Sequence, residues 1–548
     1  MSGVTVSTDA PAPRLLLRGG SIYAPHAPLA TAMVTVGDEI AWVGNDADAA
    51  SYAARADLDI VIDLAGALVT PGFVDAHVHL GPTGFALESI DLGTTTSLDE
   101  ALDRLHAYAL DFSGTVLFAH GWDETRWPEG RPFTQAELDR AVGGAVAYAA
   151  RVDSHSAVVS AALLDRDPSI STREGWRGEG RVERDAHHAA RTVTHALWTA
   201  ADRERALRAA LAHAAARGIT SVHELNAPHI APYDDFAMLR AIAADSVVPD
   251  VVPYWGSLLG AGAEDGDQLA GFAGDLCVDG AVGSRTACMH EAYADAESAG
   301  HLYLHRDQIA DHVVFCTERN LQAGFHVIGD RAMTETAAGL RLAASRVGAE
   351  ALVRARHRIE HVEMPADDDI ACLAELGVVA SVQPAFDAAW GAAGQLYGQR
   401  LGAARAQPMN PLGRMHRAGV ALAFGSDSPV TPLDPWGGVR AAVHHHDPDE
   451  RLTVSAAFGA HTRGGHRARR DDEAGALRPG AAASYAVWSV GSALTARAPE
   501  ARAGAAVLPD LALDLPLPTC LRTVVRGRTS YDSGDLRPVE TNQAGADL

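Results

Sequence analysis

The sequence contains no lysine. All 45 residues counted as lysine or arginine are arginines, so no side-chain amine can form a Schiff base, act as a general base or become a carbamate ligand. Cysteine is also scarce, and its five positions show no CxxC spacing, which argues against a disulfide framework and against a cysteine zinc site. The five are Cys277, Cys288, Cys316, Cys372 and Cys520.

Long apolar runs are missing as well. No segment is apolar enough over a sufficient length to span a bilayer, and the first residues, MSGVTVSTDAPAPR, lack a basic-then-apolar signal pattern. The formal net charge of −25 disfavours nucleic acid as a partner. We therefore expect a soluble cytoplasmic protein that acts on a small molecule, without a membrane partner and with a homodimer as the default assembly.

Two short β-rich regions lie near the ends of the chain. Runs such as LLLRGGSIYAP in 13–70 and CLRTVVRGRTSYDSG in 471–532 are separated by Gly, Asp and Asn turns. They predict one small β-sandwich domain assembled from both chain ends. Residues 1–12 are expected to be disordered and residues 533–548 to form a loose tail.

The middle of the chain, 71–470, alternates between strand-like and helix-like segments. Eight strand candidates end in polar residues, which predicts an α/β fold with a TIM-like (β/α)₈ barrel. A doubly wound sheet competes with this prediction, but no Gly-rich dinucleotide turn is present. Residues 83–200 exceed a normal loop and are interpreted as an inserted α/β subdomain near the barrel mouth. The strand candidates are GFVDAHVH, GITSVHEL, DVVPYWG, DLCVDGAVG, AGFHVIGD, HRIEHVE, VVASVQP and VALAFGSD.

The first strand candidate, TPGFVDAHVHL at 70–80, carries two histidines in a His-X-His pattern. Side chains alternate along a strand, so His77 and His79 share one face. Two imidazoles at a strand end can chelate one divalent ion. A bare His-X-His is more often a pair of polar residues at a strand tip, so the metal interpretation depends on further ligands.

Three other strand ends supply such ligands. His326 lies in the fifth candidate, His361 in the sixth and Asp427 after the eighth. The chemistry of a (β/α)₈ barrel lies at the carboxyl ends of its strands. Four imidazoles and one carboxylate that converge there suit a divalent ion, Zn²⁺ above all, with an open position for water.

These residues stand within motifs that resemble the amidohydrolase superfamily, in its amidohydrolase-3 or YtcJ-like branch. The resemblance covers about 15–530, and the branch includes enzymes similar to N-substituted formamide deformylase. It implies metal-dependent hydrolysis of a non-peptide C–N bond in a small N-acyl or N-formyl compound. The motifs are TPGFVDAHVHL, GWDETRW, DSHSAVV, GITSVHE, DGAVGSRTA, HVIGDRA, RIEHVE, SVQP and GSDSPV.

The residue types suggest a mechanism with water as the nucleophile. Asp427 is expected to accept a proton from the water and pass it to the leaving nitrogen, while His361 could polarise the carbonyl. A deaminase or a cyclic-amide hydrolase could use the same site. A family member that binds a metal or small molecule without catalysis is the alternative from a different class.

The sequence departs from the branch at one position. Sequences of this kind commonly carry a lysine four residues before the Asp-Gly of the fourth-strand motif, and here Asp275 stands there. Three interpretations remain: a carboxylate such as Asp275 or Glu224 bridges two ions, catalysis has been lost, or one ion is bound. The last is favoured over two ions, with His361 activating water or substrate and with the ligands His77, His79, His326 and Asp427.

Four further residues are pocket candidates. Arg285 could clamp a substrate carboxylate or pair with Asp279, which is itself expected to shape the pocket. Trp122 could line the mouth or belong to a core, and His155 could reach the site from the insertion. The run 444–446 (HHH) is interpreted as a solvated helix end rather than a second metal site.

Overall fold

A barrel, a pair of sheets from the chain ends and an inserted subdomain make up the protein. The computed structural model describes residues 13–53, 58–263, 268–491, 508–536 and 538–539. The predicted disorder of 1–12 lies outside these residues. Among the described helices, none has the length and apolar character needed to cross a membrane.

The barrel consists of eight parallel strands, each paired with the next along the chain. Its first and last strands meet through a parallel bridge between Val78 and Ser428. There the amide of Asp427 donates to the carbonyl of His77 over 2.7 Å. The predicted (β/α)₈ barrel is thereby confirmed. In chain order its strands are Phe73–Val78, Ile219–Asn226, Asp250–Trp255, Gly271–Phe272, Gln322–Val327, Arg358–His361, Val379–Val382 and Ala421–Phe424.

Helices cover the outside of the barrel, which explains why its strands are apolar runs instead of alternating patterns. The helix before the second strand begins at a capping box, in which Thr199 and Asp202 exchange side-chain and backbone hydrogen bonds. The described α-helices of this layer are Leu80–Leu87, Ala200–Ala215, Asp235–Asp245, Arg306–Glu318, Asp330–Val347, Ala349–Ala355, Asp367–Glu375, Pro384–Trp390, Leu396–Leu401, Ala403–Ala406, Leu412–Arg417, Pro435–Val443, Val454–Ala460 and Arg463–Ala468.

The fourth strand differs from its prediction. DLCVDGAVG was expected to be a strand, but the strand is the two-residue Gly271–Phe272 that precedes it. Gly274 adopts a φ of +92°, which ends the extended run because this conformation favours glycine. Downstream of it, only an isolated bridge joins Cys277 to His326. Asp275 therefore lies in a loop just beyond the strand end.

Strands from both chain ends form two five-stranded sheets in the described residues. Their facing side chains share one core, which includes Leu17 and Ile62 from the first sheet and Val69 and Val487 from the second. The first sheet runs, in spatial order, Pro538–Val539, Ile60–Asp63, Arg14–Arg18, Ala32–Val36 and Glu39–Gly44, and the second Ser21–Ile22, Leu68–Pro71, Tyr485–Ser489, Thr519–Val525 and Arg528–Asp532.

The segment predicted as a loose tail is held at one point. Pro538–Val539 pairs with Ile60–Asp63 in an antiparallel arrangement. The expectation of a loose tail is wrong for these two residues, because the edge of the first sheet offers them backbone partners. Residues 540–548 lie outside the described part of the chain.

The segment predicted as an insertion, 83–200, contains a five-stranded sheet of its own. Its strands are, in spatial order, Arg181–Glu183, Ser156–Val159, Ala147–Arg151, Leu117–Trp122 and Ile90–Asp91, and its α-helices are Leu98–Ala109, Gln135–Ala141, Ala161–Leu164 and Arg184–Leu197. Ser156–Val159 is antiparallel to both of its neighbours, Ala147–Arg151 and Arg181–Glu183. The remaining pairs of neighbouring strands run parallel.

A buried chain of ion pairs fastens the insertion to the barrel. The guanidinium of Arg151, which is 1% exposed, donates to Glu124, Asp153 and Asp123 over 2.8, 2.8 and 3.2 Å. Arg400, from the barrel, donates to Glu124 over 2.6 Å. The hydroxyl of Ser284 donates to Asp153 over 2.7 Å. These contacts hold the loop that follows Arg151 against the barrel mouth.

Candidate metal centre and active site

The predicted histidine pair faces one carboxylate at the seam of the barrel. Asp427 Oδ1 lies 3.4 Å from His77 Nε2 and 3.1 Å from His79 Nε2. His77 is the fifth residue of the first strand, and His79 follows the strand end with extended backbone angles, so the alternation of side chains continues. These three residues form one of the groups whose ligand atoms lie within 4.8 Å of one another.

Asp275 and His361 complete this cluster. The two carboxylate oxygens of Asp275 lie 3.5 Å from His77 Nε2 and 3.4 Å from His79 Nε2. His77, Asp275 and His361 form a second group of potential ligands. The loop beyond the shortened fourth strand thus brings the carboxylate of Asp275 to the histidine pair.

Fixed hydrogen bonds orient two of the imidazoles. His77 Nδ1 donates to Glu360 Oε2 over 2.9 Å, and Arg358 holds the same carboxylate from the other side. His361 Nδ1 donates to Gln383 Oε1 over 2.8 Å. Each of these bonds leaves the Nε2 lone pair directed into the cluster, as is usual for histidines that bind a metal.

Several atoms of the cluster fit a cation. His77 Nε2, His361 Nε2 and Asp275 Oδ1 are buried and have no hydrogen-bond partner within the described residues, a state that is costly unless a ligand satisfies it. Burial lowers the pKa of His77, but Asp427 and Glu360 overcome that effect and hold the pKa well above its usual value. The carboxylates thus favour positive charge at this point, and a divalent metal suits imidazole and carboxylate donors of this kind.

The protein holds two cluster residues in an uncommon backbone conformation. His361 has a φ of +73°, its neighbour Val362 a φ of +50°, and Asp427 a φ of +55°. Non-glycine residues in the left-handed region, above all a β-branched valine, are typical of sites where the surroundings impose a geometry. The turn directs each side chain across the barrel end.

Two other predicted ligands lie beside the cluster. His326 belongs to neither group of close ligand atoms, and its ring centroid is 4.4 Å from that of His361. Glu224 Oε2 accepts from the amide of Leu80 over 2.7 Å, at the start of the helix that follows His79. Burial raises the pKa of Glu224 to about 7. Glu224 therefore supports the chain next to His79.

The predicted pocket residues divide into one that lines the cavity and three that do not. His155 lines it, with its ring 4.9 Å from that of His326. Arg285 pairs instead with Asp295, through two hydrogen bonds of 2.9 and 2.7 Å. Asp279 accepts from three backbone amides, those of residues 288, 328 and 329, and so braces the loop next to His326. Trp122 belongs to the core of the insertion.

The cluster opens into a cavity between the barrel and the insertion. Sequence reasoning missed most of the wall that the insertion contributes. The usable signal was the helical spacing in HHAARTVTH, which brings 187, 188, 191 and 195 to one side of a helix. The overlooked polar residues that line the cavity include His120, Tyr148, His187, His188, Arg191 and His195 from the insertion and His229 from the segment after the second barrel strand.

The histidine run at 444–446 is not a solvated helix end. His445 is buried with its Nε2 3.3 Å from Asp387 Oδ1, and His446 Nδ1 pairs with the same carboxylate. His446 Nε2 also donates to the carbonyl of Gln407 over 3.1 Å. The expectation failed because the neighbouring helix Pro384–Trp390 presents a buried acid. Asp387, His445 and His446 form another group of close potential ligand atoms, and His445 Nε2 has no hydrogen-bond partner within the described residues.

A (β/α)₈ barrel with a His-X-His strand end, a sixth-strand histidine and an aspartate after the eighth strand defines the amidohydrolase class of hydrolases. The model of the Amidohydrolase family matches residues 60–531. The chain therefore belongs to the amidohydrolase family, and its relatives place it in the YtcJ-like branch.

The relatives include two that span most of the chain. Protein LONG AFTER FAR-RED 3 of Arabidopsis thaliana is 26% identical over 521 residues, 87% of each chain. The putative amidohydrolase YtcJ of Bacillus subtilis is 25% identical over 409 residues, which is 70% of this chain and 74% of YtcJ. N-substituted formamide deformylase of Arthrobacter pascens is 31% identical over 160 residues, 28% of this chain and 29% of the deformylase.

Solved structures agree with the fold. An uncharacterized metal-dependent hydrolase from Pyrococcus furiosus is 26% identical and superposes with a TM-score of 0.67. The alignment covers 86% of this chain and 98% of that protein.

Proposed function

We propose that this protein is a metal-dependent hydrolase of a non-peptide C–N bond in a small N-acyl or N-formyl compound. The observation that carries the proposal is the convergence of His77, His79, Asp275 and Asp427 in one cluster, of which His79, Asp275 and Asp427 line a cavity. The partial similarity to N-substituted formamide deformylase supports the amide as the scissile group.

We infer that one ion is bound, with Zn²⁺ as the best match for the donor set. The two groups of potential ligands at the carboxyl end of the barrel share His77. Its Nδ1 is engaged by Glu360, so only Nε2 is free to bind, and one nitrogen lone pair serves one ion. The resulting ligand set contains Asp275 in the place that the sequence assigned to His326.

Asp427 has the position required of a proton shuttle. When bound, a divalent ion supplies Lewis acidity that makes water more acidic and polarises a carbonyl. The Asp427 carboxylate lies among the ligand atoms and lines the cavity, so it can accept a proton from water and deliver it to the leaving nitrogen. His361, whose Nδ1 proton is engaged by Gln383, presents a lone pair and acts as a ligand rather than a proton donor.

A substrate screen with purified protein of known metal content tests the proposal. We expect about one ion per chain by elemental analysis and turnover of N-formyl or N-acetyl amines. Asp427→Asn should lower turnover by about 10²- to 10⁴-fold, the usual contribution of a general acid–base group. The matched control is Asp103→Asn, which makes the same change at an exposed position of the insertion. Unchanged turnover in the Asp427 variant would exclude the assigned role.

The ligand role of Asp275 is tested by metal content. Asp275→Asn preserves the shape of the side chain and removes its negative charge, so we expect the variant to lose metal during dialysis against a chelator that leaves the wild type loaded. His326→Ala should retain the ion. The opposite pattern, with retention in the Asp275 variant and loss in the His326 variant, would restore the ligand set predicted from the sequence.

A further inference from the structure

The wall of the cavity that comes from the insertion carries a cation beside the proposed metal centre. Arg191 lies on the helix Arg184–Leu197 and lines the same cavity as His79, Asp275 and Asp427. These side chains surround one cavity, the kind of concave site that binds a single small molecule. A single substrate can therefore contact both the guanidinium and the metal ligands.

Arg191 differs from the other arginines buried near the site. Arg151, Arg358 and Arg400 each pair with at least one carboxylate. Among the described residues, no carboxylate lies within ion-pair distance of Arg191. Its Nη2 donates to the carbonyl of Ser154 over 2.5 Å, and this neutral bond leaves the positive charge uncompensated.

The positive charge of Arg191 contributes to the lowered pKa values of the imidazoles around it. The pKa of His188 falls to about 3, mainly because the ring is buried and secondly because the charge of Arg191 lies nearby. The same two causes lead for His195, whose pKa also falls to about 3, and for His187, whose pKa lies well below its usual value. These rings are neutral at pH 7, so Arg191 is the cation of this wall.

The acids that line the cavity are engaged elsewhere. Asp153 receives hydrogen bonds from Arg151 and Ser284. Asp275 and Asp427 face the histidine pair of the metal centre. Within the part of the chain that the structure describes, no acid therefore neutralises Arg191, and a half-buried cation next to an apolar wall gains most from an anion that arrives with the ligand.

We propose that the substrate carries a carboxylate, which Arg191 binds while the scissile amide lies at the metal centre. This inference rests on the proposed hydrolase function and narrows its substrate class. Phe118, Tyr148 and Trp198 line the same part of the cavity. They favour an apolar or aromatic body, so the class is an N-acyl or N-formyl amine with an apolar body and a carboxylate.

Matched substrate pairs test the assignment. Each pair consists of an N-formyl or N-acetyl amine with a carboxylate and the same compound with a hydroxymethyl group in its place. We expect kcat/KM to favour the carboxylate at least about 10-fold. Arg191→Met should lower kcat/KM for the carboxylates by about 10- to 100-fold, mainly through KM, and for the neutral partners by less than about 3-fold.

Two variants control for folding and for general charge effects. Arg191→Lys keeps the charge but loses the planar fork, so it should restore part of the preference. Arg140→Met removes an exposed arginine from the same insertion and should change neither substrate. Thermal unfolding of each variant identifies a loss of folding directly.

Calorimetric titration of the metal-loaded protein with the same carboxylates measures binding without turnover. Weaker binding to the Arg191→Met variant supports the inference even if no compound is hydrolysed, and in that case it is the proposed reaction that fails. Turnover of the neutral compounds with no carboxylate preference, and equal binding by both proteins, would overturn the inference and leave the hydrolase function intact.

Discussion

Replacement of Arg151 by methionine should loosen the insertion from the barrel. The side chain has similar length, so the main change is the loss of one buried charge that contacts three carboxylates. Glu124 keeps Arg400 as a partner and Asp153 keeps the hydroxyl of Ser284. We therefore expect the cost of one broken buried network, about 3–5 kcal/mol at neutral pH, rather than the sum of three separate pairs.

The loss should depend on pH in a defined direction. Burial raises the pKa of Glu124 and of Asp153, but the charge of Arg151 overcomes this and holds both below their usual values. In the wild type, their contribution to stability is present above the unfolded-state pKa and is lost as the pH falls through the folded-state pKa. Without Arg151, burial should raise the pKa of both carboxyl groups. Protonation at mildly acidic pH would then remove their uncompensated buried charges and recover part of the lost stability.

Urea unfolding at pH 7.5 and pH 5, followed by tryptophan fluorescence, provides the assay. Trp122 lies 5.9 Å from the guanidinium of Arg151 and reports on this region. The difference in unfolding free energy between variant and wild type should be largest at pH 7.5 and shrink at pH 5. Arg140→Met, at an exposed position, should match the wild type at both values. A variant as stable as the wild type at pH 7.5 would refute the argument.

Three further substitutions have expected outcomes. Glu360→Gln weakens the acceptor of the His77 proton and should lower metal affinity by about 10- to 100-fold in a chelator competition. Gly84→Ala would bring a Cβ within 1.9 Å of the carbonyl oxygen of Ala206 and should lower the melting temperature, at a cost of about 1–3 kcal/mol or more. Gly398→Ala meets no atom within 4 Å and should raise the melting temperature slightly, since alanine favours a helix by about 0.5–1 kcal/mol.

The barrel and its histidines could be predicted because both depend on local patterns. Apolar runs that end in polar residues predict parallel strands, and the chemistry of such a barrel lies where those strands end. His77, His79, His361 and Asp427 accordingly converge. The position of the fourth strand was predicted wrongly because DLCVDGAVG has a residue pattern typical of a strand. In the structure, Gly274 in the left-handed conformation separates this segment from the strand.

The wall of the cavity could not be predicted in the same way. Which arginine faces the substrate depends on which arginines already have an acid partner, and those pairs are set by the folded arrangement of the side chains rather than by a local sequence pattern. The motif DGAVGSRTA suggested that Arg285 could bind a substrate carboxylate, yet its guanidinium donates two hydrogen bonds to Asp295. Arg191 lies in a helix to which the sequence analysis assigned no role, and it has no acid partner within the described ranges of the chain. Asp275, which we propose as a metal ligand, was anticipated from the sequence only as an alternative, because an aspartate stands where the family resemblance leads one to expect a lysine.

The seam of the barrel has a consequence for the order of events during folding. Asp75 accepts from the amide of Ser426, 351 positions away in the chain, and the Cα of Gly425 lies so near His77 that a Cβ there would come within 2.4 Å of its backbone nitrogen. His77, His79 and Asp427 meet across this seam alone. A nascent or truncated chain that stops before the eighth strand would hold His77, His79, Asp275 and His361 but lack Asp427, so the proposed proton shuttle joins the cluster only when the barrel closes.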